Sequence, residues 1–240
     1  MAEVTSASPA AGPQPGLPAR MIGVIFSPKE TFAAVAARPK WFGALAVAVV
    51  VMGGAQFVLL STDVGKDLAL EQNVSFMEAL GQTISDEAYA NMERQMEYAK
   101  YTGALGTMIF TPLAMLLSAG LMHVMFGLVG GGNGTFKHVY AISAHAAIIS
   151  ALQLVFTTTV TLAAGRAAGA NLAVFTPTLE DTTFAYKCLS YVDLFYVWST
   201  FITAVGLGVL YKRRTSPIAM VLFGIYFVIA AIIAYVASGS

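Results

Sequence analysis

Residues 41–60 read WFGALAVAVVVMGGAQFVLL, without a single charged side chain. A helix rises about 1.5 Å per residue, so about 20 such residues cross a hydrocarbon core of about 30 Å. Hydrophobic side chains fall on every face of this helix, whereas a helix on the surface of a soluble protein keeps a polar stripe. Working outward, four more stretches share its character: roughly Thr102–Val129, Val139–Ala163, Tyr191–Leu210 and Pro217–Ala237. The chain therefore reads as all-α, a polytopic transmembrane helix bundle with five spans. A soluble fold would need polar helices to wrap five such segments, and the chain does not contain them.

Composition agrees. Charged residues make up 11% of the 240 positions and apolar ones 57%, against about 25% charged in a typical soluble domain. Net charge is zero, so nothing points to nucleic acid or to a strongly acidic partner. The single cysteine, Cys188, forms no internal disulfide and has no Cys or His at metal-ligand spacing. Residues 1–20 carry Pro9, Pro13, Pro15 and Pro18 among Ala, Ser and Gly. They contain no apolar core of a signal peptide and read as a disordered tail. The rest, 21–240, reads as a single membrane domain.

The placement of charge says more than its sum. The connection Ser61–Tyr101 holds eight acidic and three basic residues. Ahead of the first span stand Arg20, Lys29, Arg38 and Lys40 against Glu3 and Glu30; the second connection has Lys137; the fourth is Lys212-Arg213-Arg214. The third balances Arg166 and Lys187 with Glu180 and Asp181. The positive-inside rule then puts the N-terminus and the even connections in the cytoplasm and, with five spans, the C-terminus outside.

Three connecting segments have local signals. Ser27-Pro28-Lys29-Glu30 predicts a helix capped by Ser27, with Glu30 closing a capping box, running to about Arg38 before Pro39. Its apolar face and its cations suit a helix lying along a headgroup surface. In the acidic connection, Asp86 is expected to cap an amphipathic helix with Tyr89, Met92 and Met96 on one side. Gly130-Gly131-Gly132-Asn133-Gly134 predicts a tight reversal that makes the second and third spans antiparallel neighbours. It is no phosphate loop, since no strand precedes it and Thr135-Phe136-Lys137 follows.

These segments together resemble the Yip family (Ypt-interacting-protein domain). Ser27-Pro28-Lys29-Glu30-Thr31-Phe32 followed by Arg38-Pro39 is similar to its entry signature. Gly134-Thr135-Phe136-Lys137 before Tyr140-Ala141 is similar to its central turn, and Asp193-Leu194-Phe195 with Trp198 and Gly206 to its fourth span. The resemblance covers roughly Ile22–Val236. It implies a five-span helical bundle with a cytoplasmic N-terminus. Eukaryotic members are linked to vesicle traffic and to prenylated Rab-type GTPases; prokaryotic members have no settled activity. The chain lacks the Asp-Leu-Tyr-Gly-Pro motif of the eukaryotic members and has a short Pro/Ala-rich tail. What is implied is a bacterial member, for which there is no Rab to bind.

Ionisable and polar groups inside spans are costly and mark candidate sites. His123 lies in the second span, and His145 and Gln153 in the third, where Ser143, Ser150 and Thr157 repeat every seven residues as a polar stripe. His145 stands about a turn and a half from the cytoplasmic boundary, within reach of headgroup water. Asp193 opens the fourth span. Converging, these groups would line a polar pocket or proton path; the alternative is helix–helix hydrogen bonding and, for Asp193, capping.

No catalytic pair, zinc motif or nucleotide motif is present, and the sequence implies neither enzyme activity nor a cofactor or metal. Two functions remain. One is a non-catalytic module that organises or recruits partners through cytoplasmic residues Lys29, Glu30, Arg38, Lys137, Lys212, Arg213 and Arg214. The other is a transporter or channel for a small solute, ion or lipid, using His123, His145 and Gln153. Partners are the bilayer itself and a membrane protein or a second copy, in a bacterial inner membrane.

Overall fold

The computed structural model describes residues 15–176, 178–180 and 183–237. Most of the expected N-terminal tail, and Asp181 of the third connection, lie outside them. Among the described residues there are helices and one isolated bridge, Asn171 to Asp193, and no strand. Four helices are long and apolar enough to cross a membrane: α3 (Phe42–Leu60), α6 (Ala99–Met122, continued by a π-helical turn His123–Val129), α7 (Phe136–Ala164) and α10 (Thr215–Ala237). The fourth expected span is α9 (Leu194–Leu210), apolar but 17 residues long, a rise of about 25 Å.

The expected starts shift where side chains set them. α9 begins at Leu194 and not Tyr191, because Asp193 is extended and accepts from the Phe195 and Tyr196 amides at 2.8 and 3.2 Å. α7 begins at Phe136, where Thr135 and His138 form a capping box: the His138 ring takes the place of the usual Glu, its Nδ1 lying 3.3 Å from the Thr135 amide that donates to it. In the acidic connection, α4 (Asp63–Ala79) is capped by Thr62. α5 (Asp86–Gln95) is capped by Ser85, which accepts from the Ala88 amide, so Asp86 is the first helical residue and not the cap. A short helix, α8 (Phe184–Ser190), precedes α9.

The largest departure is at the N-terminal end. Residues 17–20, expected in the tail, open a helix, α1 (Leu17–Phe26), and α2 (Pro28–Ala37) follows after one residue. Ser27 ends the first and precedes the second. Its amide donates to the Gly23 carbonyl at 2.8 Å, so Glu30 has no free N–H to reach, and its hydroxyl makes no cap bond. The expected capping box does not form.

Nor does α2 merely lie on a surface. Thr31, Phe32 and Val35 are buried, the last two in the main core, and α2 packs on α9 and α7. Gly206 of α9 makes this approach feasible: a Cβ there would meet the Ile142 side chain and come within 3.2 Å of Phe32 Cγ.

α7 is the centre of the bundle, with α3 along one side and α9 along another; α3 also packs along α6. Ala48 of α3 and Ala147 and Ala151 of α7 form a small-residue cluster, which lets backbones approach where lipid supplies no hydrophobic drive. The expected antiparallel contact of α6 and α7 is present, though both lean more on α3 than on each other.

Candidate functional site

The glycine turn and the connection after α9 interlock. Gly131 takes a positive φ of 68°, as a tight reversal requires. Gly132 serves a different purpose: a Cβ there would run into the Tyr211 ring. The Arg213 guanidinium donates to the Gly130 carbonyl. Tyr211 is buried, and burial pushes its phenol above the usual value. Nearby, Lys29 of α2 shares a groove with Thr215 and Ser216 of α10, and Trp41 stacks edge-on to Tyr140, one turn into α7. Lys29, Arg38, Lys137, Lys212, Arg213 and Arg214 are therefore at one end of the bundle, all exposed, with Glu30 among them. The acidic residues of α4 and α5 follow the opposite end of α3.

Deeper in the bundle, a cleft of about 510 Å³ runs between α6 and α10, floored by α7 and α9. It is unusually rich in hydroxyls for a membrane interior: Thr111 and Ser118 from α6, Ser143 and Ser150 from α7, Ser199, Thr200 and Thr203 from α9, and Tyr226 from α10. Several are satisfied by backbone. Ser143 donates to Val139 O at 3.2 Å, Thr203 to Ser199 O at 2.8 Å, Ser118 to Met115 O at 3.1 Å, and Tyr226 to the Tyr191 carbonyl. The first three bonds, each within one helix, satisfy the hydroxyl without gluing helices together, whereas the Tyr226 bond ties α10 to the turn before α9. Thr111, Ser150, Ser199 and Thr200 line the cleft without a hydrogen bond of this kind, leaving them for whatever enters it.

The residues that would have formed a polar path if they converged do not line this cleft. His145 is 1% exposed, so it does not reach headgroup water; its Nδ1 lies 2.8 Å from the Ala141 carbonyl, one turn back on its own helix. His123 opens the π-helical turn, its ring edge-on to Phe136 at 6.4 Å. Gln153 is half-buried on α7, and Asp193 is engaged as a cap. Two of the three stripe residues, Ser143 and Ser150, do line the cleft, and Thr157 does not.

The hydroxyls overlooked in α6 and α9 had the same signal. Thr111 and Ser118 are seven apart, and Ser199 and Thr203 four apart, each pair on one helix face. Among the described residues no group of three His, Cys, Asp or Glu is placed to hold a metal ion.

No solved structure matches the chain. One relative is "Membrane protein YknW" of Bacillus subtilis (strain 168), 30% identical over 215 residues that span 85% of each chain. The family model of the Yip1 domain matches residues 22–238, nearly the whole helical bundle with its α1–α2 hairpin, glycine turn and apolar helices. This multi-pass, all-helical membrane protein belongs to the Yip1 domain family.

Proposed function

We propose that the protein is a non-catalytic module of a bacterial inner membrane, with five spans, that organises or recruits other membrane components through its basic end. Its N-terminus and glycine turn face the cytoplasm and its acidic connection faces outward. The observation that carries this is the gathering of six exposed cations from three separate segments, with Glu30, at one end of the bundle. Each Lys or Arg near an anionic leaflet contributes about 1 kcal/mol of attraction, so this end suits the cytoplasmic headgroup layer and an acidic partner docked on it. α9 acts as the fourth of the five spans, its short length completed by the turn residues at both ends.

The test is affinity capture of the tagged protein in native-membrane nanodiscs, with co-purifying proteins identified. A stoichiometric partner lost with Lys29→Glu or Arg214→Glu supports the reading. Recovery of the protein alone refutes its simple form. Arg214 is a better target than Arg213, which is engaged by Gly130.

A second reading draws on the cleft: passage of a small solute, ion or lipid headgroup along its hydroxyls. The histidines expected to serve that path lie elsewhere, so its residues are Ser150, Ser199 and Thr200. Flux in reconstituted vesicles that falls with Ser150→Ala or Thr200→Val, while capture is unchanged, would favour it.

A further inference from the structure

α1 has one charged residue, Arg20, and it points inward. Arg20 is 7% exposed and buried together with Val24, while Ile22 and Phe26 on the other face are 59% and 79% exposed. A helix lying at a membrane surface has the reverse arrangement, with cations turned out to headgroups. Arg20 Nε and Nη1 are sealed from solvent and make no hydrogen bond. No carboxylate neutralises the group: among the described residues the ion pair is Lys66 with Asp63, in α4. A guanidinium does not lose its proton in a protein, so Arg20 cannot escape the cost of burial by becoming neutral.

A second unpartnered group is close by. His145 of α7, on which α1 packs, is 1% exposed, and its Nε2 is also sealed and without a hydrogen bond. The Arg20 charge acts on the His145 ring. Because Nδ1 faces the Ala141 carbonyl at 2.8 Å, the neutral ring carries its hydrogen there. That leaves Nε2 to accept from a protonated oxygen, or to donate if the ring is charged.

Atoms sealed this closely admit no ligand themselves, so the uncompensated charge is open to a partner only through Arg20 Nη2. We propose that Arg20, through Nη2, binds one phosphate-type oxyanion at the edge of the bundle beside α1. Phosphate oxygens accept charge-assisted hydrogen bonds from a guanidinium N–H. Nη2 is the Arg20 nitrogen that is not sealed, and the ligand meets the side chain there. Two sources supply this chemistry, a phospholipid headgroup or free phosphate. The exposed Ile22 and Phe26, on the opposite face of α1, would rest against acyl chains in the first case.

The experiment uses the full-length protein, purified and delipidated in detergent. Its thermal unfolding midpoint and native mass spectrum are recorded with phosphatidylglycerol, with a phosphate-free diacyl galactolipid, and with inorganic phosphate. Binding to the folded state alone raises the midpoint with ligand concentration. The expected result is a rise and a single retained adduct with phosphatidylglycerol, none with galactolipid, and loss of both in Arg20→Met, with Arg20→Lys retaining part. A rise with inorganic phosphate alone, also lost in Arg20→Met, assigns the site to free phosphate.

The proposal is overturned if galactolipid acts as well as phosphatidylglycerol, or if neither phosphate source shifts the wild type. It is equally overturned if Arg20→Met melts at or above the wild type while keeping the same phospholipid response. That last outcome is what removal of an unsatisfied buried charge would give. Should Arg20→Met fail to fold, the wild-type comparison of the three additives still decides.

Discussion

Replacing Phe32 by Ala tests whether α2 belongs to the bundle or rests on a headgroup surface. Phe32 is fully buried, in the core with Val35 and Ile142, and within reach of the position where Gly206 lacks a Cβ. In lipid the transfer part of its burial shrinks, because the membrane is itself apolar; the void it leaves does not. A lost side-chain volume of roughly 100 Å³, at about 24 cal/mol per Å³ of residual cavity, costs about 2.4 kcal/mol, close to a 60-fold change in equilibrium. Phe26, 79% exposed on α1, serves as the control, since its truncation leaves no cavity. Both variants are compared with the wild type by equilibrium unfolding in mixed micelles titrated with SDS, together with limited proteolysis of the segment before α3. Phe32→Ala is expected to lower the midpoint clearly and to expose the α1–α2 hairpin to protease, while Phe26→Ala changes little. Equal, small effects for the two would refute the docking of α2 through Phe32 and Gly206.

Two other predictions follow from single contacts. Asp193→Ala removes the acceptor of two α9 amides and should cost about 1 kcal/mol in the same unfolding assay, with Asp193→Asn retaining most of it. If Ala and Asn variants lose equally, the capping account is wrong. Cys188, the one cysteine of the chain and partly exposed on α8, reports orientation without any engineering. A membrane-impermeant maleimide should label it in intact spheroplasts, and labelling confined to inside-out vesicles would reverse the proposed topology.

Apolar runs and turn chemistry made the main helices legible, because both are local: twenty apolar residues declare a span wherever it packs, and a run of glycines declares a reversal. The burial of α2 was not legible in this way. Phe32, Val35 and the neighbouring cations fit a surface helix just as well. What decides between the two is Gly206, far along the chain, whose missing Cβ makes room for the ring. The capping box at Ser27 failed for a related reason, since a second helix ending on the same residue claims the amide that Glu30 would need. In the spans, seven-residue spacing put Ser143 and Ser150 on one helix face, and both line the cleft. It gave no means of knowing that the histidines would face elsewhere, because rotation about a helix axis is settled by neighbours that an apolar, nearly featureless surface does not specify.

The glycine run illustrates how one signal can stand for two physical demands. Four glycines in five residues suggest freedom of the backbone, yet a positive φ occurs at Gly131 alone among them. At Gly130 a Cβ would crowd the Phe126 carbonyl at 2.6 Å, and at Gly134 it would lie 2.8 Å from Leu210 Cδ2 and 3.0 Å from the Tyr211 ring. Gly132 and Gly134 are small so that α9 and its following turn can close on the loop, while Gly130 clears the helical turn before it. A loop filled this tightly, and held by Arg213 at the Gly130 carbonyl, is a rigid platform and not a flexible tether. Lys137 and Arg214 project from its two strands of chain while Arg213 binds them together. A charge reversal at Arg213 would therefore disturb the platform as well as its charge, whereas reversals at Arg214 and Lys137 separate recognition from architecture.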